Sequence, residues 1–402
     1  MPPERRVIVI GAGLAGSALA VALAARGLAV TVVERRKPLL EPLPDVRGLV
    51  LSAASRAVLE DSGLWSRLAP SATPISRIHV AEQGRFGSVQ LDAAELGRDA
   101  LGWACPADLM LREFHAALLA ADGVTVHWGT EFVGARAGEH GIEVAIREGD
   151  LAGTVEAALL VGADGAESAV RTLAGITLAS HDYGQQAIVA NIEVARPEAG
   201  LAYEYFTPEG PLAMIPRGGA RYVSVQCLRE TRAEAALALD DGGYAALLEQ
   251  RFGRRLGAVV AVGPRRAHPL RRQRAERLVA ARTVLVGNAA NTVHPNGAQG
   301  LNLGLRDVAT LAALLGPAPD PGEATLLEAY VAGRARDHRL VGGFTHLLAA
   351  AYASPLASVR CVRRGALGVL ALAAPLRRRL VEGLGGVERL PPFGDGGAAA
   401  TP

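Results

Sequence analysis

The apolar positions of the chain change period several times, and each change predicts an element. Arg6 to Ile10 is a short β-branched run and reads as a strand. Leu14 to Arg26 has the spacing and composition of a helix, and Gly27 is placed to end it. Ala29 to Val33 reads as a second strand with Glu34 at its end. In the segment Asp45 to Trp65, Ser52 predicts the cap of a helix running to about Asp61. Ile75 to Val80 and Ser88 to Leu91 read as strands, Leu109 to Ala121 as a helix and Val124 to Trp128 as a strand. Ile142 to Arg147 and Thr154 to Val161 predict a hairpin. From Gln185 to Leu228 the runs IVANIEV, AYEYFT, GPLAMIP and RYVSVQCL alternate in period two, with Gly and Pro between them, which predicts an antiparallel sheet. Tyr244 to Phe252 reads as a helix, Val284 to Val286 as a buried strand, and Leu301 to Leu315 as a further helix. The expected fold is α/β: a parallel domain interrupted by a β-rich insert and followed by a helical tail.

Composition narrows the functional classes. The 402 residues exceed one ordinary domain of roughly 100–200 residues. Half of them are apolar and 20% are charged, which excludes global disorder. The formal charge of +2 gives no field broad enough for nucleic acid. Cys105, Cys227 and Cys361 are far apart and make no CxxC pair, which argues against a zinc site or a disulfide framework and fits a reducing, cytoplasmic compartment.

Three glycine motifs carry the candidate chemistry. Gly11, Gly13 and Gly16 form GxGxxG directly after the first strand. Gly11 permits the tight turn, Gly13 lets backbone approach a pyrophosphate, and Gly16 lets the helix pack closely. The helix start, with Leu14 and Ala15, offers free N–H groups to phosphates. Glu34, followed by Arg35, stands where an acid accepts hydrogen bonds from ribose hydroxyls. The same stretch imitates a secretory signal, but that reading gives Glu34 no role. The motif alone does not separate NAD from FAD. The second motif is Gly162, Ala163, Asp164, Gly165 at the end of a strand, which is either a plain turn or a ligand loop. In the third, Gly287 and Asn288 follow a buried strand, and His294, Pro295, Asn296, Gly297, Ala298, Gln299 and Gly300 precede the helix that begins near Leu301 and Asn302. Asn288 can bond sugar or ribitol hydroxyls. The helix start is an anion site suited to the negative edge of a reduced flavin.

Together GAGLAG, GADG and GNAANTVHP resemble the motifs of the FAD-dependent aromatic hydroxylases of the para-hydroxybenzoate-hydroxylase-like fold. DVRGLVLSAASRAVLEDSGLW and HPNGAQGLNLGLRDV are similar to segments of the ubiquinone-biosynthesis hydroxylases, and GPLAMIP with GNAA is most similar to the 2-octaprenyl-6-methoxyphenol hydroxylase branch. The resemblance implies an FAD-binding Rossmann-like domain of the GR2 type, an inserted antiparallel substrate domain and a helical tail. It implies that Gly11, Gly13, Leu14, Ala15, Gly16, Glu34, Arg35, Arg47, Arg112, Asp164, Gly287 and Asn288 touch FAD. His294, Pro295, Gly297, Ala298, Gln299, Gly300, Leu301 and Asn302 would border the isoalloxazine. NGAQG replaces the more common AGQG, and Arg112 stands where many relatives have Gln, so it reads either as a ligand or as a helix-surface arginine. In such enzymes NAD(P)H reduces the flavin, which then uses O2 to oxygenate an electron-rich ring, here that of a polyprenyl phenol.

The same reading divides the chain into FAD-binding parts at 1–75, 96–180 and 271–340, substrate-domain parts at 76–95 and 181–270, a helical region at 341–390 and a disordered end at 391–402. Tyr205, Met214 and Tyr222, with Tyr203 and Phe206, are the candidate substrate-pocket residues; Tyr203 and Tyr205 share a face by alternation, and Phe206 takes the other. His294 reads either as a proton relay or as a satisfied structural histidine. In the tail, Gly365 to Leu376 is apolar and flanked by Arg360, Arg363, Arg364 and Arg377 to Arg379. Twelve residues do not span a bilayer of about 30 Å, so the segment reads as an interfacial helix at the inner membrane or as a helix packed on the FAD domain. Besides ubiquinone-ring hydroxylation, two readings stay open: hydroxylation of another aromatic metabolite, and service as an assembly partner in a biosynthetic complex.

Overall fold

A computed structural model describes residues 5–41, 47–84, 87–354 and 356–391. The expected start at Asp45, the expected disorder beyond Pro391 and the side chains of Arg360 and Arg364 lie outside what it describes.

A six-stranded sheet organises the first layer. Its order is 279–280, 283–285, 159–162, 6–10, 29–34, 124–128, parallel except at the 279–280 edge. The central strand Arg6–Ile10 is buried over four of its five residues, as a parallel strand covered on both faces must be. The helices Leu14–Ala24, Ala107–Ala120 and Gln299–Leu315 pack together beside this sheet. A three-stranded meander, Thr130–Ala137, Ile142–Glu148 and Leu151–Ala157, adds Ile142, Val144 and Ala157 to the same core. Sequence pattern predicted the second and third of these strands as one hairpin; Thr130–Ala137 was too irregular in alternation to read.

The second layer is an eight-stranded sheet of order 291–292, 259–275, 178–194, 221–229, 210–216, 201–207, 77–82, 88–92. It is antiparallel throughout except where 201–207 runs parallel to 77–82. The strand Val259–Ala275 was not expected: five arginines occupy it, and it pairs with Leu178–Val194 through several register shifts. One face of this sheet meets the small sheet formed by 48–51, 102–106 and 73–75, through Ile75, Ala104, Val189, Ile215 and Val223. The opposite face is covered by the helices Glu230–Leu237 and Asp241–Phe252.

The tail is helical. Ala324–Ala353 runs as one helix through Gly342, Gly343 and His346, and Ala357–Leu372 and Ala374–Gly385 follow. Leu367, Leu370 and Val381 pack on Val89 and Leu91 of the edge strand of the eight-stranded sheet, while Leu327 and Tyr330 of the 324–353 helix join the core of the first layer. Among the described residues no helix is long and apolar enough to cross a membrane.

Candidate active site

The three glycine motifs meet at one place, and the glycines show how closely. A Cβ on Gly11, whose φ is +102°, would lie 2.6 Å from the Ala163 carbonyl oxygen of the second motif. A Cβ on Gly16 would lie 2.0 Å from the Gly11 oxygen. Gly287 of the third motif has φ +60°, and a Cβ there would approach Ala15 to 3.1 Å. By contrast a Cβ on Gly13 would meet nothing within 4 Å, so the loop is open at that point. Such a gap, beside the first amides of the Leu14–Ala24 helix, has the room and the free N–H groups that a pyrophosphate needs.

Residues outside the motif hold this loop. The Ala12 N–H donates to Glu34 Oε2 at 2.8 Å, and Arg36 N–H donates to Oε1 at 3.0 Å. The Ala12 carbonyl accepts from Ser17 Oγ at 2.9 Å and lies 2.8 Å from His115 Nε2. His115 Nδ1 accepts from Leu39 N–H at 2.8 Å, so Nε2 carries the proton and donates to Ala12. Burial lowers the His115 pKa against the pull of these bonds and Glu34, which keeps the ring neutral. His115 and Ser17 escaped the sequence reading, since only the fold joins position 115 to position 12.

At the second motif Asp164 Oδ2 caps the helix Ala169–Leu173, accepting from Ala169 N–H at 2.7 Å and Val170 N–H at 3.1 Å. Its Oδ1 is buried without a partner. At the third, Asn288 is exposed while its neighbours are buried. Asp307 Oδ2 accepts from Gly287 N–H at 3.1 Å, and Gly304 lets the 299–315 helix approach Gly287 closely. Arg334 bonds Asp307 at 2.6 Å and Asp337 at 2.7 Å, Arg306 bonds Asp337 at 2.6 Å, and His338 bonds Asp307 at 2.7 Å. Burial opposes ionisation of Asp307, but His338 and Arg334 outweigh it and hold the carboxyl below its usual range.

The loop before the 299–315 helix is left-handed at Gly297 (φ +69°) and at Ala298 (φ +53°). Ala298 pays roughly 1–2 kcal/mol for that conformation. Around it Asn296 Nδ2, Gln299 Oε1 and His294 Nε2 are buried and unpartnered. His294 Nδ1 accepts from Asn296 N–H at 3.3 Å, so Nε2–H is a free donor. Burial pushes the His294 pKa down to about 4, with His346 adding to the effect. Tyr183 stands edge-on to His294, with ring centres 4.9 Å apart, and its hydroxyl is 3.0 Å from His346 Nδ1.

The remaining expected site residues divide. Arg47 joins the region through its carbonyl, which accepts from Ala107 N–H at 3.1 Å, and Arg35 is exposed at the end of the second strand. Arg112 is half-buried on the 107–120 helix, 3.8 Å from Glu113. Asn302 Oδ1 accepts from Ser52 N–H and Ser55 Oγ, and Nδ2 donates to Val50 and Ala298 carbonyls, all within 2.9 Å. Every bonding position of that amide is filled by protein, so its side chain ties the loop to the 53–61 helix.

Tyr205, Met214 and Tyr222 require a correction. They face away from the three loops and pack with Tyr244, Leu248 and Phe252 beneath the sheet. Alternation correctly grouped Tyr203 with Tyr205, but a period-two pattern does not say which face a second layer covers. The face toward the loops carries Ala202, Glu204, Phe206, Ala213 and Ile215.

An FAD molecule fits this arrangement: an open glycine cradle, unpartnered buried polar atoms at all but the first loop, and the free amides of a 17-residue helix. The comparisons agree. Residues 4–341 match the FAD binding domain family. Ubiquinone hydroxylase UbiL of Rhodospirillum rubrum is 36% identical over 96% of this chain and 90% of its own length. The 3-demethoxyubiquinol 3-hydroxylase of Escherichia coli is 30% identical over 94% of this chain and 97% of its own. Among solved structures, p-nitrophenol 4-monooxygenase PnpA of Pseudomonas putida shares the fold, with TM-score 0.78 at 18% identity over 96% of this chain and 99% of its own. The chain thus belongs to the FAD binding domain family and is an FAD-dependent monooxygenase, of the group that includes the ubiquinone-biosynthesis hydroxylases.

Proposed function

We propose that this monooxygenase hydroxylates the ring of a polyprenyl phenol in ubiquinone biosynthesis, with 2-octaprenyl-6-methoxyphenol as the substrate that the sequence resemblance favours. The observation that carries the reading is full-length similarity to two ubiquinone-ring hydroxylases, joined to an apolar sheet face set over the flavin loops. When bound and reduced by NAD(P)H, FAD supplies the oxygen chemistry. The protein's part is placement. Gly13 and the Leu14–Ala24 amides hold the pyrophosphate, Glu34 the ribose, and Asp164 Oδ1 and Asn288 the sugar-like chain. The Gly297–Leu301 amides would face the ring edge and favour negative charge there, and His294 Nε2–H would be free to donate to a neighbouring acceptor. With a pKa near 4, His294 stays neutral at physiological pH and serves as a donor rather than as a base.

Deleting the gene and profiling quinones by mass tests the reading. Accumulation of the 6-methoxyphenol precursor is expected; an unchanged quinone pool contradicts it.

A membrane-dissolved substrate also gives the tail a role. Its helices leave Leu347 (67%), Val362 (73%) and Leu372 (90%) largely exposed, on sides not packed against the edge strand. We infer that this surface touches the lipid headgroup region. The full chain should float with anionic liposomes, and a chain ending near Leu340 should not; equal flotation removes the idea.

A further inference from the structure

The face of the sheet that looks toward the flavin loops is apolar except at a few positions, and one of them has no partner among the described residues. Glu204 lies in mid-strand, opposite Ala213 on one neighbour and Val80 on the other. Around it on the same face stand Ala202, Phe206, Ile215 and Val225. The residue is deep in the molecule and yet keeps part of its accessible surface. Beside it Phe206 stacks on Tyr352 of the 324–353 helix, and Glu204 itself is only half-buried, so it is not sealed off by packed side chains. Among the described residues no hydrogen bond or ion pair reaches its carboxylate, although Glu82 two residues along the adjacent strand is bonded to Arg363 at 2.7 Å. A carboxylate in such surroundings costs free energy unless a donor arrives from elsewhere.

We propose that Glu204 accepts the hydroxyl hydrogen of the substrate phenol and takes its proton as the ring is oxygenated. The inference rests on the phenol-hydroxylase reading above. In the step the phenolic O–H bond breaks, its electron pair stays on the oxygen, and the proton moves to a Glu204 carboxylate oxygen. The phenolate so formed is more electron-rich at the ring carbons, which favours attack by an electrophilic oxygen. Burial raises the Glu204 pKa to about 7, into the range where a proton acceptor works best near neutral pH. The titratable groups facing it are Cys227 on the 221–229 strand and Tyr352 on the 324–353 helix, with the Glu82–Arg363 pair beyond. Burial raises both the Cys227 thiol, to about 12, and the Tyr352 hydroxyl, so neither ionises near pH 7.

The test uses FAD-loaded wild type, Glu204→Gln and Glu204→Leu. Each is titrated with 2-methoxy-6-prenylphenol and with its O-methyl ether, following the flavin absorbance, and turnover of the phenol is measured across pH. Wild type should bind the phenol at least about tenfold more tightly than the ether, as one buried hydrogen bond to a charged group allows. Glu204→Leu should lose that preference. Glu204→Gln, which still accepts a hydrogen bond, should keep it but lose about a hundredfold in kcat and the limb of the pH profile near 7. Wild-type hydroxylation with Gln and Leu variants unchanged in kcat, preference and pH limb overturns the role of Glu204 and leaves the phenol-hydroxylase reading standing. A flavin-loaded wild type that neither binds nor hydroxylates the phenol overturns both.

Discussion

At the scale of single residues, the dinucleotide loop depends on groups that accept or donate to one peptide unit. Ala12 is held by Glu34, Ser17 and His115, and the neighbouring Gly13 is left open for the ligand. Gly13→Val fills that opening while the fold has room for the new side chain. The purified variant should stay folded and contain little flavin by absorbance; full occupancy contradicts the assignment. His294 gives a pH prediction. Its folded pKa of about 4 lies below the ordinary 6.5, so the unfolded chain binds the proton first as pH falls. Its contribution is complete above about 6.5 and is lost toward pH 4, amounting to about 3 kcal/mol. Urea unfolding of wild type and His294→Phe at pH 7 and 5 should show a smaller loss in the variant; parallel losses contradict the buried neutral ring. The GxGxxG residues and their acid were legible because the chemistry is local in sequence. His115 and the true work of Asn302 were not, because their partners are 103 and about 250 positions away.

At the scale of elements, the 299–315 helix is the best supported part of the site. It rests on a buried network in which Asp307 bonds Arg334 and His338 and Asp337 meets Arg306, Arg334 and Arg389. Removing one partner strands buried charge, which typically costs 3–5 kcal/mol, roughly. Asp307→Ala also frees the Gly287 N–H, so it should lower urea stability by about that amount and weaken FAD retention on dialysis. A variant with unchanged stability contradicts the network's role. The periodic helices and the β-branched strands were readable because packing on one face writes a pattern into the sequence. The 259–275 strand was not: its five arginines and its register shifts hide the alternation, and its pairing is set by the neighbouring strand.

At the scale of the molecule, the eight-stranded sheet separates two apolar regions with different work. The aromatic core of Tyr203, Tyr205, Tyr222 and Phe252 stabilises the sheet against its helices, and the opposite face looks toward the flavin loops. Tyr205→Ala should therefore cost about 3 kcal/mol of stability and leave phenol affinity unchanged in the surviving folded protein. A selective rise in KM would return Tyr205 to the substrate side. Sequence alternation gave the partition of residues between faces but not the assignment of faces to functions, since that depends on how distant segments stack.

The most direct test of the whole account is a crystal structure of the purified yellow protein with FAD bound. It should show the pyrophosphate at Gly13, the ribityl chain between Asp164 and Asn288, and the ring edge at the Gly297–Leu301 amides with Glu204 across the chamber. Flavin density away from those loops, or loops drawn apart around it, would contradict the account.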